Sequence, residues 1–137
     1  MPVKTRIIGI DVGYDRLGWS IIDSGNLVEY GTITTRKQDS FENRLLEIYQ
    51  DLNVIIEQYK PKEAAVESIF YFKNQKTFMQ VSEARGVILL ALTLNQVQVF
   101  DYTPLQVKMT VTGYGRANKK QIQTMVKRLL KLKQGIS

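Results

Sequence analysis

The stretch R-I-I-G-I-D-V-G-Y-D-R-L-G-W-S-I-I-D, residues 6–23, decides the fold of this chain. It predicts a buried strand, a turn that contains glycine, and a second strand that returns beside the first. Asp11 lies where the first apolar run ends, and burial of a carboxylate there is costly unless a cation compensates its charge. Gly13 and Gly18 permit a tight turn and leave room above Asp11 for a phosphate or a metal ion. The stretch therefore predicts either a metal-binding acid or a hairpin in which the Asp only caps a turn.

The composition indicates a single domain, residues 1–137, of the ordinary soluble globular type. The sequence contains no Cys and no His, which excludes disulfides, thiolate metal sites, imidazole-bound zinc and Ser-His-Asp catalysis. Any metal ion must then be bound by oxygen, which favours Mg2+ or Mn2+. We find neither a signal peptide nor an apolar run approaching ~18 residues, so we expect a cytoplasmic protein with no membrane contact.

The net charge of +6 is unevenly distributed along the chain. Residues 1–101 hold 11 basic and 13 acidic residues, whereas residues 102–137 hold no acid at all. The eight basic residues of this last segment are Lys108, Arg116, Lys119, Lys120, Lys127, Arg128, Lys131 and Lys133. A uniformly basic end predicts a polyanionic partner, most simply nucleic acid. The alternative is a solvated helix face with a favourable charge at its C-terminus.

Apolar periodicity and turn residues divide the rest of the chain into alternating strands and helices. The predicted strands are Leu27–Thr35, Glu63–Phe70 and Gln98–Tyr102; the main predicted helices begin after Asp39, near Thr77 and at Lys119. Asp39 and Glu42 match a capping box, and Lys60 before Pro61 ends the first of these helices. In the second helix we expect Phe78 to face the core.

Glu67 repeats the unusual feature of Asp11, because it is an acid within a strand that is otherwise apolar. A strand-helix-strand crossover makes the two strands candidates for neighbours in the sheet. Two carboxylates that meet there repel each other, and a shared divalent cation removes that penalty.

An aromatic and basic loop follows Glu67 directly, with the sequence Y-F-K-N-Q-K at residues 71–76. Aromatic rings are suited to stacking on unpaired bases, while Lys73 is placed to meet a phosphate. The alternative is that Phe70 and Phe72 pack beneath the next helix.

Several blocks of this sequence resemble the RuvC family of Holliday-junction resolvases, and the resemblance runs nearly from end to end. The blocks are G-I-D-V-G at residues 9–13, A-V-E-S-I-F at 65–70, F-Y-F-K-N at 70–74, A-R-G at 84–86, and Q-V-K-M-T-V-T-G-Y-G-R-A-N-K-K-Q-I-Q-T-M at 106–125. Their number and their order make the resemblance specific, whereas each block alone is weak.

The resemblance implies an α/β, RNase H-like fold: a five-stranded mixed sheet, its first three strands antiparallel, flanked by helices. It implies a homodimer that cuts two strands of four-way junction DNA symmetrically with Mg2+ or Mn2+, working with a branch-migration helicase complex. Asp11 and Glu67 match catalytic, metal-binding carboxylates, with Asp11 bridging two ions and Glu67 holding one. The residues that we expect to contact DNA are Phe70 at the junction centre and Lys73, Lys108, Arg116, Lys119 and Lys120 at phosphates.

Two departures from the family pattern accompany the resemblance. Val12 stands where family members usually carry Pro, and no acid follows Asp101, although the family has two more carboxylates in a D-x-x-D pattern on a final helix. We therefore expect a chain that lacks its C-terminal catalytic helix and cleaves poorly.

Other functions stay open at this point. One is a junction-binding module without cleavage activity. Another is an RNA-processing nuclease of the same fold, although such nucleases lack the block at residues 70–74. A third is an actin-like or sugar-kinase ATPase, although those folds need two large lobes.

Overall fold

The computed structural model describes residues 6–24, 26–68 and 74–102, apart from the side chains of Asn26 and Tyr102. The elements in chain order are β1 (Arg6–Asp11), β2 (Arg16–Asp23), β3 (Asn26–Thr34), α1 (Phe41–Tyr59), β4 (Glu63–Glu67), α2 (Gln75–Leu94) and β5 (Gln98–Tyr102). The predicted strands and helices of this part of the chain are all present, with boundaries that differ by up to three residues. The predicted helix that begins at Lys119 lies outside the described residues.

The five strands form one mixed sheet in the order β3-β2-β1-β4-β5. β1 pairs with β2 and β2 with β3 in antiparallel fashion, whereas β1 pairs with β4 and β4 with β5 in parallel. A parallel neighbour requires a crossover connection, which α1 provides between β3 and β4, and α2 between β4 and β5. This confirms the predicted five-stranded mixed sheet, in which the first three strands of the chain are antiparallel.

Both helices pack on one face of the sheet and bury the main core there. Alternation along β1 directs Ile8 and Ile10 into this core, whereas Ile7 belongs to a smaller cluster with Ile22 and Ala65. The two faces of the sheet are therefore distinct: a helix-covered face, and a second face on which Ile7 lies.

The start of α1 differs from the prediction at its cap. Ser40, and not Asp39, is the N-cap: its hydroxyl accepts a hydrogen bond from the backbone N–H of Asn43 at 3.2 Å. The capping box fails because Asn43, and not Glu42, occupies the position three residues after the cap. At the other end the helix stops as predicted, where Lys60 adopts a left-handed φ of 52° before a proline.

Helix α2 is capped by Asn74, whose side-chain oxygen accepts hydrogen bonds from the N–H groups of Lys76 and Thr77 at 2.9 and 3.3 Å. Its inner face is buried, but Phe78 is 37% exposed, so the prediction that this ring faces the core is wrong. α2 is also the one helix of the described residues with the length and apolar composition of a membrane span. Its inner face packs against the sheet, and a core helix of this kind meets the same criterion of length and composition.

Arg6 joins the far end of α1 to the first hairpin. Its guanidinium donates hydrogen bonds to the carboxylate of Asp23 at 3.0 and 3.3 Å and to the carbonyl oxygen of Tyr59 at 3.0 Å. This contact fixes the start of β1, which is the end of the strand opposite to Asp11.

Candidate active site

Asp11 is the last residue of β1 and lies half-buried on the second face of the sheet, in phase with Ile7. The antiparallel pairing of β1 with β2 places Asp11 opposite Gly18. Gly18 is buried and carries no side chain, so no side chain stands directly opposite the carboxylate on this face.

Glu67 is the last residue of β4 and occupies the corresponding position on the neighbouring strand. The parallel register pairs Ile10 with Val66, and Asp11 and Glu67 each follow one of these residues. Glu67 lies in phase with Ala65, which belongs to the cluster of the second face. The structure thus brings both acids to the same face and the same edge of the sheet.

Asp101 is a third acid near this edge, but it belongs to the other face. It is paired in register with Val66, whose side chain lies in the helix-covered core. Its carboxylate forms an ion pair with the guanidinium of Arg85 on α2. Asp101 therefore does not supply a further ligand beside Asp11 and Glu67.

The two carboxylates lie at the adjoining ends of neighbouring strands and offer only oxygen ligands, the chemistry that a hard divalent cation prefers. Within residues 6–24, 26–68 and 74–102, no cluster of three or more His, Cys, Asp or Glu residues is suited to holding a metal ion. This part of the chain accordingly supplies two candidate ligands. Their catalytic and metal-binding roles stay predictions.

The turn between Asp11 and β2 is unusually tight at Gly13. A Cβ atom at this position would lie 2.3 Å from the carbonyl oxygen of Arg16, which is closer than any real contact of this kind. Glycine is therefore required here, as the sequence predicted for this turn.

Thr35 and Arg44 also bind this turn. The sequence analysis did not identify either residue as part of the site. The hydroxyl of Thr35 donates a hydrogen bond to the carbonyl oxygen of Tyr14. The backbone N–H of Thr35 donates a second hydrogen bond, of 2.9 Å, to the carbonyl oxygen of Asp15. Arg44 forms an ion pair with the carboxylate of Asp15. A signal was present in the sequence, because Arg44 lies four residues before Ile48 and in phase with the apolar stripe of α1.

The predicted DNA contacts fall on the parts of the chain that the structure does not describe. They are Phe70, Lys73, Lys108, Arg116, Lys119 and Lys120. Their roles stay predictions from the sequence.

A mixed sheet of this order, with two acids at the adjoining ends of its central strands, defines an RNase H-like fold with a candidate nuclease site. Comparison with known proteins narrows this class to one family. The model of the family described as crossover junction endodeoxyribonuclease RuvC matches residues 7–137. This chain belongs to the RuvC family.

Three known proteins illustrate the relationship. The crossover junction endodeoxyribonuclease RuvC of Petrotoga mobilis is 51% identical over 130 residues, covering 92% of this chain and 80% of that protein. The structure of Thermus thermophilus RuvC in complex with a Holliday junction substrate matches with a TM-score of 0.75 at 27% identity, covering 89% of this chain and 77% of that one. The yeast mitochondrial Holliday junction resolvase Ydc2 has a TM-score of 0.63 at 12% identity, over 96% of this chain and 69% of that one, and shows the shared fold alone.

Proposed function

We propose that this chain is a structure-selective DNA endonuclease that resolves four-way (Holliday) junctions in recombination and repair by metal-dependent hydrolysis of phosphodiester bonds. The observation that carries this proposal is the placement of Asp11 and Glu67 on one face and one edge of neighbouring parallel strands. Membership of the RuvC family and the similarity to a RuvC protein bound to a Holliday junction support four-way DNA as the substrate.

In this proposal Asp11 and Glu67 bind Mg2+ or Mn2+ and orient the scissile phosphate against the edge of the sheet. Asp11 and Glu67 would hold the divalent cation, which would supply an activated water and neutralise charge on the phosphate and on the departing 3′-oxygen. Gly18, which is paired with Asp11, adds no side chain that would obstruct a phosphate there. The basic residues predicted from the sequence bind the flanking phosphates, and Phe70 stacks on a base at the junction centre.

We further propose that the chain acts as a homodimer that is assembled through α2. The exposed residues of this helix form a stripe that contains Met79, Gly86, Leu90 and Leu94. Met79 is 61% exposed, Leu90 54% and Leu94 60%. A Cβ atom at Gly86 would have no other atom within 4 Å, so nothing in the described protomer requires glycine there. Glycine in the middle of a helix costs about 0.5–1 kcal/mol relative to alanine, which a close approach of a second helix explains.

A second copy of this chain suits the stripe on α2 better than a lipid surface does. Glu83 lies in the stripe and is exposed, and a carboxylate is unfavourable in contact with hydrocarbon. A four-way junction also offers two symmetric cleavage positions, and a two-fold dimer presents two matching sites to them.

Family membership supports two further proposals: that the protein is cytoplasmic, and that a branch-migration helicase complex delivers the junction to it. We also propose, from the sequence pattern, that residues 1–137 belong to a single nuclease domain.

The proposed cleavage is tested with the full-length gene product and a synthetic four-way junction in Mg2+, beside Asp11→Asn and Glu67→Gln. We expect paired, symmetric cuts by the unmodified protein, and none by either variant. All three proteins should bind the junction with similar affinity in EDTA. Cleavage of linear duplex at an equal rate would contradict the proposal, and binding without cleavage by the unmodified protein would favour the binding-module alternative.

A further inference from the structure

A buried guanidinium lies beneath the turn that follows Asp11. Arg44, in the first turn of α1, is only 8% exposed. Its Nε donates a hydrogen bond to the hydroxyl of Thr35 at 2.9 Å, and its Nη2 forms the ion pair with Asp15. The guanidinium carbon also lies 5.0 Å from the centroid of the Tyr14 ring, within the range of a cation–π contact.

These contacts fix both the backbone and the side chains of the β1–β2 turn. Thr35 engages the carbonyl oxygens of Tyr14 and Asp15, and Arg44 in turn orients the hydroxyl of Thr35. The ring of Tyr14 meets that of Phe41 edge to face, with centroids 5.6 Å apart. The turn is consequently attached to the N-terminal end of α1 and to the residue that follows β3.

Fold stability alone is a poor explanation for an arginine at this position. Removal of a guanidinium from water is costly, and a well-packed apolar side chain in the same place is often neutral or stabilising. Such a side chain would also complete the apolar stripe that Ile48, Leu52 and Ile56 form on α1. What only arginine supplies is a set of directed contacts to several groups at once.

We infer that Arg44 is a positioning residue for the proposed cleavage: by fixing the β1–β2 turn it holds the carboxylate of Asp11 in its productive orientation. Only Val12 and Gly13 separate Asp11 from Tyr14, so displacement of the turn displaces the acid. Arg44 contacts neither metal nor DNA in this role, because its side chain is buried beneath the turn and not exposed on the second face. The inference rests on the proposed nuclease function.

Arg6 provides a matched control for Arg44. Both guanidinium groups connect α1 with the β1–β2 hairpin: Arg44 through its ion pair with Asp15, and Arg6 through its hydrogen bond to Tyr59. Arg6 does so at the start of β1, whereas Arg44 does so at the end that carries Asp11. A general loss of stability affects both variants, whereas a positioning effect appears only at Arg44.

The experiment compares Arg44→Lys with Arg6→Lys in the full-length protein, at a temperature well below the melting temperature of either variant. We expect Arg44→Lys to lower the single-turnover rate of junction cleavage about 10–100-fold, the usual effect of removing a group that orients a metal ligand. Its junction affinity in EDTA should not change, and Arg6→Lys should cleave at the unmodified rate. Equal rates for the two variants, or a loss at Arg44→Lys that lies in junction affinity and not in the rate, would overturn the inference.

A second readout needs neither metal nor cleavage. Hydrogen exchange of the metal-free protein should be faster in the peptide that spans residues 11–17 in Arg44→Lys, and unchanged there in Arg6→Lys. Unaltered exchange in both variants would overturn the role of Arg44 even if the unmodified protein proves not to cleave junctions. If Arg44→Lys does not fold, Asp15→Asn removes the exposed partner of the same ion pair. Faster exchange at residues 11–17 in Asp15→Asn would then support the role of Arg44, and unaltered exchange would overturn it.

Discussion

Glu67 and Asp101 lie on neighbouring parallel strands, one residue apart in register, and on opposite faces of the sheet. Glu67 shares its face with Asp11, whereas Asp101 is paired with Val66 and forms an ion pair with Arg85 on the helix-covered side. Asp101 therefore lies near the end of a neighbouring strand but on the other face, and does not belong to the candidate site.

We accordingly predict that Asp101→Asn retains junction cleavage. The ion pair that it removes has side-chain exposures of 21% and 56%, so the free energy of unfolding should fall by less than about 1 kcal/mol. A cleavage assay and a urea titration, each run beside Glu67→Gln, check this prediction. A rate for Asp101→Asn as low as that of Glu67→Gln would place Asp101 in the catalytic set and contradict the geometry.

The dimer predicted through α2 is tested by removing one exposed apolar side chain. Leu90→Ser should convert the dimer into a monomer, because Leu90 lies in the stripe on α2 and is 54% exposed in the protomer. Leu46→Ser is the matched control, since Leu46 is similarly exposed, at 51%, on α1. Sedimentation at several concentrations measures both variants. Equal association of the two would place the interface elsewhere.

Gly86→Ala should have opposite effects on the two states of the protein. Alanine stabilises the helix of the isolated protomer by about 0.5–1 kcal/mol, since the added methyl group meets no described neighbour. The same methyl group should weaken association if a second α2 helix crosses at Gly86. Urea unfolding at low concentration and sedimentation at high concentration measure the two effects separately. Association as strong as that of the unmodified protein would argue against a crossing at this residue.

Gly13→Ala should destabilise the protein by about 1–3 kcal/mol, because the added Cβ collides with the backbone carbonyl of Arg16 and the turn has to shift. Gly86→Ala serves as the control with free space around the added atom. The fluorescence of Trp19, the one tryptophan of the sequence, follows unfolding in urea. A melt of Gly13→Ala that matches the unmodified protein would show that the turn adapts.

The sequence also predicts two separable kinds of DNA contact in segments outside the described residues. Lys108→Ala should weaken binding to any DNA and lower the salt slope by roughly one unit, because one phosphate contact is lost. Phe70→Ala should cost about 1–3 kcal/mol for four-way DNA and leave the salt slope unchanged, because stacking releases no counterions. Titrations of junction and duplex at several salt concentrations distinguish these effects. A large fall in melting temperature with unaltered junction preference would instead make Phe70 a core residue.

The sheet and the positions of both acids were predictable because they depend on patterns that are local in the sequence. Alternation assigns Asp11 and Glu67 to strands, and the crossover rule makes those strands parallel neighbours. The register that aligns the two acids at one edge is not a local property. It follows from how the strands pair, which only the structure shows.

Other features were misjudged for identifiable physical reasons. Ser40 and Asp39 are both good caps, and the choice between them depends on the path of the chain into α1. The apolar spacing along α2 predicts a buried Phe78, but the outer face of this helix is itself partly apolar. Arg44 was overlooked because a charged residue in a helix is usually exposed, and its partners lie on the β1–β2 turn and after β3.

We expect Asp11 and Glu67 to bind one divalent cation jointly on the second face of the sheet. Anomalous scattering from Mn2+, in crystals of the full-length protein with junction DNA, measures this most directly. We expect a peak within coordination distance of one carboxylate oxygen from each of the two residues, and a loss of that peak in Asp11→Asn. The absence of any peak that contacts both acids, or a peak beside Asp101 on the helix-covered face, would contradict this assignment.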